Sequence, residues 1–136
     1  MAVDLTLLLG LRCTAVVREP HSWHFAFNGG TALVAECPWR VLVEGRIALG
    51  STDDRQRFGL PQPVDAQLRA QNLLGDRAVL TAAVTADAGD LALSFDGAVR
   101  LDLFNGSSGY EGWSLSAPTG GRIIALGGGE LAILPR

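Results

Sequence analysis

The feature that most limits what this chain can become is a period-two alternation of apolar residues, broken repeatedly by glycine. Trp23, Phe25 and Phe27 alternate with His24 and Ala26; Asn28-Gly29-Gly30 follows, and Leu33, Ala35 and Cys37 alternate again. In an extended chain successive side chains point to opposite faces, so the pattern makes one apolar and one polar face. A helix would need apolar residues every three or four positions. Asn-Gly often signals a two-residue hairpin loop. A three-residue loop over Asn28–Gly30 does better: it sets Phe25 opposite Leu33 and Trp23 opposite Ala35, apolar against apolar.

Two further stretches follow the same plan. In DLALSFDGAVRLDLF (90–104), a two-residue Asp96-Gly97 turn would oppose Leu93 to Arg100 and Leu91 to Asp102. A loop of Phe95-Asp96-Gly97 instead opposes Leu93 to Val99 and Leu91 to Leu101, with Gly97 in the left-handed bulge position. In RIIALGGGELAIL (122–134), a Gly127–Gly129 loop opposes Ala125 to Leu131 and Ile123 to Ile133. Between the sheet-forming halves, residues 51–76 begin charged and turn-rich, with prolines at 61 and 63. The period then changes: Val64, Leu68 and Leu73 fit a helix face, Asp65 a cap and Gly75 a stop. Residues 4–11 read either as a short helix capped by Asp4, with Leu5, Leu8 and Leu9 on one face, or as a strand. The expected architecture is mainly β in one domain over residues 1–136. It would be an antiparallel sandwich or open barrel of about eight to ten short strands with one or two short helices, α+β being the alternative label.

Composition narrows the chemistry. With 48% hydrophobic and 18% charged residues, a chain of 136 residues can bury a core without disulfides or metal. The net charge of −3 gives no electrostatic footprint for nucleic acid or anionic membrane. All 11 basic residues are arginines, a bias that reflects GC-rich codons better than a phosphate site. Cys13 and Cys37 are too few for a disulfide framework, which suits reduced thiols in the cytoplasm. The opening MAVDLTLLLGLRC lacks a basic region, carries Asp4 before its apolar run and is too short to span a bilayer.

The order of motifs resembles a known group. It runs W-x-F-x-F at 23–27, Trp39-Arg40, GSTDD at 50–54, FGLPQPVDA at 58–66, LLG at 73–75, GDLALSFDG at 89–97, YEGW at 110–113 and GGGELAIL at 127–134. This is similar to a family of small bacterial proteins, common among actinobacteria, that carry only a domain-of-unknown-function label. The resemblance covers most of the chain. It implies a compact bacterial domain and supplies no reaction or catalytic residue.

Candidate chemistry is sparse. His21 and His24 lie three apart in a strand pattern, which points them to opposite sides and argues against a metal pair. Asp53 and Asp54 lack the cadence of a calcium loop and have Arg55 and Arg57 beside them, so a solvated turn with local ion pairs is expected. Gly127–Gly129 precedes a strand pattern and no lysine, so it reads as a turn and not a phosphate cradle. Ser51, Ser94 and Ser114 lack a nucleophile-elbow context. Glu111 stands apart, because its strand parity matches Trp113 and Leu115 and would place a carboxylate on the apolar face. Such a charge must pair, with Arg40 or Arg122, or sit at a wet strand end.

The sequence therefore fits a non-catalytic cytoplasmic protein-interaction module, without cofactor, metal, nucleic acid or membrane. A homodimer joined at a strand edge or apolar face, or an immunity protein that neutralises a toxin, would have this composition. The rival class is a small-ligand-binding protein or enzyme with a pocket at the end of the β structure. Glu111, Trp113, Trp39, Arg40 and Asp53 are the candidate binding residues.

Overall fold

The computed structural model describes residues 4–135. Among them, eleven strands form two antiparallel sheets packed as a sandwich, with no closed barrel. The strands are β1 (Cys13–Arg18), β2 (Trp23–Phe27), β3 (Ala32–Ala35), β4 (Trp39–Val43), β5 (Arg46–Gly50), β6 (Val79–Val84), β7 (Leu91–Phe95), β8 (Val99–Leu103), β9 (Trp113–Ser116), β10 (Arg122–Ala125) and β11 (Leu131–Leu134). One sheet runs β1-β2-β3-β9-β10-β11 and the other β5-β4-β8-β7-β6. The count exceeds the expected range partly because VLVEGRIALG folds into a tight hairpin, with Glu44 and Gly45 both left-handed.

Register explains the core. Across the first sheet, Val16, Phe25, Leu33, Leu115, Ile123 and Ile133 stand side by side. Across the second, Leu49, Val41, Leu101, Leu93 and Ala82 do the same. These rows face each other and are buried, except where they run out at β6 and β11. The Asn28–Gly30 and Gly127–Gly129 loops give the expected pairings, Phe25 with Leu33 and Ile123 with Ile133.

The β7–β8 hairpin departs from expectation. Its loop is Asp96–Ala98, so Phe95 pairs with Val99, Leu93 with Leu101 and Leu91 with Leu103. The shift of two positions keeps every apolar residue on the same face and gains Phe95 for the core. The Asp96 carboxylate fixes the choice by accepting from the Ala78 backbone N–H at 2.9 Å. Ala98 consequently takes φ 60°, a left-handed conformation that costs about 1–2 kcal/mol.

The single α-helix among the described residues, α1 (Ala66–Leu74), starts where Asp65 accepts from the Leu68 N–H at 3.1 Å. Its buried positions are Ala66, Ala70 and Leu74, while Leu68 is exposed; the expected face was rotated. Small alanines let the helix sit close against β1 and β5, which a leucine stripe would prevent. Residues 4–11 contain one 3₁₀ turn, Thr6–Leu8, preceded by Asp4, which accepts from the Thr6 N–H at 2.9 Å. Leu5 and Leu8 are buried and Leu9 is not.

Three loops lock together at one end of the sandwich. Asn105 Nδ2 donates to Ala88 O and Leu126 O, both at 3.0 Å, and Gly128 N donates to Ser107 O at 2.8 Å. A Cβ on Gly127 would run into the backbone of Gly109, whereas one on Gly106 would meet nothing closer than 3.9 Å. Gly127→Ala should therefore cost about 2 kcal/mol or more in urea unfolding. Gly106→Ala should stay within about 0.5 kcal/mol of wild type. Equal effects would contradict this close approach.

Candidate functional site

The two sides of the sandwich are finished differently. On the β1/β5 side, α1 lies between the sheet edges and its polar side chains satisfy strand backbone. Gln67 Oε1 accepts from Arg18 N at 2.8 Å, and Arg69 Nη2 donates to Ala48 O at 3.1 Å. Arg18 forks onto Asp54 at 2.6 and 2.7 Å, reaches Asp65 at 3.2 Å and stacks over Trp23. Asp54 also accepts from the Ala66 N–H at 3.0 Å. The Arg18 hydrogen bonds hold the Asp54 carboxyl below the usual carboxylate range against its partial burial. A hollow of about 510 Å³ lies here, lined by Arg18, Trp23, Ser51 and Asp54 among others. Its principal charges are engaged with each other, so the cluster acts as a staple between β1, the 51–54 turn and α1.

This staple predicts a pH signature. Because the folded Asp54 carboxyl is depressed, its contribution is full above the unfolded value of about 3.9 and shrinks as pH falls through the folded value. Asp54→Asn should cost about 2–3 kcal/mol at pH 7, typical of charge-assisted hydrogen bonds. In urea unfolding the gap to wild type should narrow clearly by about pH 3. A gap independent of pH would contradict the assignment.

The residues singled out from the sequence are placed apart from one another. Trp39 is buried between Trp23 and Phe25, with ring centroids at 5.1 and 5.3 Å. Arg40 points outward to Asp102, its cross-strand neighbour, at 3.1 Å, and lies over Phe104. Arg100 shares the same Asp102 carboxylate at 2.8 Å. Asp53 accepts from Gly50 N at 2.8 Å and serves its own turn. Trp113 is buried and donates its indole N–H to Gly89 O at 2.8 Å. Glu111 is exposed, because β9 begins only at Trp113 and the parity argument had carried the strand too far. The expected Glu111–Arg40 bridge is absent among the described residues, and Asp102 is the partner of Arg40. Trp113 and Leu115 enter the core, as parity requires within β9, and Tyr110, ahead of the strand, is exposed.

The β6/β11 side is open. A groove of about 740 Å³ runs between the strands, floored by Leu5, Ala82, Val84, Leu131 and Ile133. Asp87 and Glu130 line it, and it continues past Leu5 and Ala82 into a hollow bordered by Asp4, Leu9 and Leu80. Among the described residues, no arginine lines either part. Ile133 in the groove and Leu9 and Leu80 in the adjoining hollow are substantially exposed. The groove exists because the inner-face rows end at Ala82 on one sheet and Ile133 on the other; among the described residues no α-helix lies over them as on the opposite side, only the short turn Thr6–Leu8 against β6. The signal in the sequence was the strand pattern LAIL, apolar on both faces; Leu80 is exposed because a bulge between Val79 and Thr81 leaves it unpaired.

Other chemistry finds little support. Burial pushes the Cys13 thiol up to about 11 and the Cys37 thiol to about 12, so neither is a nucleophile at neutral pH. Among the described residues, no three His, Cys, Asp or Glu side chains gather as a metal site, and no helix is long and apolar enough to cross a membrane.

No curated protein and no solved structure matches this chain. A family does match, over residues 8–135, in keeping with the glycine-punctuated motif order and the two-sheet fold: the chain belongs to the family of unknown function DUF6188.

Proposed function

We propose that this protein is a non-catalytic protein-interaction module whose partner docks in the groove between β6 and β11. The observation that carries this reading is the run of exposed apolar side chains along an unfinished edge of the sandwich. Exposed apolar side chains beside an apolar groove suit an interaction site. The acidic lining adds a preference for a partner that presents cations beside its apolar contact, since opposite potentials steer association and fix register. Two buried free thiols suit work in a reducing compartment such as the cytoplasm. A toxin-neutralising immunity protein is one form of the class, because neutralisation by binding needs a surface and no active site. A small-ligand site in the same groove is the rival. Its volume suits a ligand, but its polar side chains collect at one end, leaving the apolar floor without groups to orient a small molecule.

The test is photo-crosslinking in the native host, with a benzophenone amino acid at Ile133 or, as a control on another surface, at Thr14. The expected result is a discrete protein adduct from Ile133 and none of that mass from Thr14. Identical adducts from both positions, or none from Ile133, would contradict a docking groove.

A further inference from the structure

The segment between β5 and α1 forms a stiff projection. Arg55 N donates to Val64 O and Val64 N to Gln56 O, both at 2.8 Å, closing its base over the buried Val64. Leu60 N donates to Arg57 O at 2.7 Å and Arg57 Nη1 to Pro61 O at 3.0 Å, closing its tip. At that tip Phe58 is 67% exposed and Leu60 50% exposed. Phe58 has φ 48° and Gly59 φ 75°, so an aromatic residue is held in left-handed backbone while its ring stands in water. Bulky residues adopt that conformation rarely, and such strain collects where a side chain must be presented. Prolines 61 and 63 limit the loop further. A rigid exposed aromatic with an arginine next to it has the makings of a binding anchor, because a few large side chains carry most interface energy.

The surroundings of the tip are basic. The Arg55 side chain is 79% exposed, and its carboxylate neighbour, Asp54 at 4.0 Å, is already forked by Arg18. Arg57 contacts a backbone carbonyl. The projection thus offers two apolar side chains and one cation, Arg57, at its tip, with a second cation, Arg55, at its base. The β6/β11 groove offers the inverse, an apolar floor with Asp87 and Glu130 and with Asp4 in the adjoining hollow. The projection follows β5 and the groove begins at β6, the two opposite edges of the five-stranded sheet. Four inter-strand spacings, about 19 Å, separate them. A copy therefore does not reach its own groove with its own tip.

We infer that the Phe58–Leu60 tip of one copy seats in the β6/β11 groove of a second copy. This rests on the reading of the groove as a docking surface and names its occupant. The contact is head-to-tail, so it grows into short chains or closes into a ring instead of forming a two-fold dimer. One loop in one groove is a small interface, which places the association among weak, concentration-dependent ones.

Sedimentation velocity across a concentration series tests it with wild type and five variants. Wild type should show a mean mass rising above the 14.3 kDa monomer with concentration. Phe58→Ser, which removes the anchor from an exposed position, should weaken self-association by about tenfold or more. Ile133→Arg should do the same from the groove side. The charge reversals Arg57→Glu and Glu130→Arg, which touch no core residue, should each weaken assembly and restore it when combined in one chain. An equimolar mixture of Phe58→Ser and Ile133→Arg should form a species of two chains and nothing larger, because one tip and one groove remain. Wild type that stays monomeric throughout, or a Phe58→Ser variant that assembles as well as wild type, would overturn the inference. If wild type is monomeric while Ile133 crosslinks to a different protein, the self-docking fails and the groove reading stands. If Phe58→Ser dissociates the assembly but Ile133→Arg and Glu130→Arg leave it intact, the tip docks elsewhere and this inference fails.

Discussion

A two-sheet sandwich that does not close leaves four strand edges, and each exposes backbone donors and acceptors that water, protein or a partner must satisfy. In this protein those edges are β1, β11, β5 and β6. Helix α1 serves two of them at once, accepting from Arg18 N through Gln67 and donating to Ala48 O through Arg69. The start of β6 is served by residues 10 and 11, where Gly10 N donates to Val79 O and Val79 N to Leu11 O, both at 2.8 Å. Beyond Val79 the outer edge of β6 pairs with no strand among the described residues, and neither does the outer edge of β11. The unfinished side sets exposed apolar side chains, Leu80 and Ile133 among them, beside a groove and its adjoining hollow. The proposed docking function rests on that ground.

The shape of the groove depends on loops that carry no obvious chemistry. Asn105 ties the 85–90 and 126–130 loops, Trp113 holds Gly89 by its indole N–H, and glycines 89, 127 and 129 permit backbone contacts that side chains would block. Gly129, for example, would bring a Cβ within 2.7 Å of Asp87 O. These contacts position Asp87 and Glu130, the carboxylates that give the groove its sign. The glycine-rich NGSSG segment (105–109) is a brace: Ser107 Oγ accepts from Gly109 N and Tyr110 N at 3.1 and 2.9 Å.

Much of the fold was legible because parity is a local property. Phe25 opposite Leu33, Ile123 opposite Ile133, the Asp65 cap and the inward Trp113 all follow from residues within one hairpin or one turn. Where parity was extended past a strand end, as at Glu111, it failed. Where two registers of equal parity competed, at Phe95, a backbone bond from Ala78 decided, and that contact is not local. The site was less legible for the same reason. Arg18 and Asp54 are 36 positions apart and meet only through the packing of β1 against the turn before α1. The groove is defined by which strands end the sheets, a topological fact with no motif. Phe58 and Leu60 were visible as apolar residues in a charged segment, but their meaning depends on the left-handed backbone that displays them.

The central claim is that the β6/β11 side is the working surface of the molecule. Hydrogen exchange read by mass spectrometry at low and high protein concentration tests it most directly. The account predicts that amides of residues 80–84 and 131–134 exchange readily in the dilute protein and become protected as concentration rises, while α1 and β1 stay unchanged. Protection appearing instead over α1, or on the outward face around Arg40 and Arg100 with 131–134 unaffected, would contradict it.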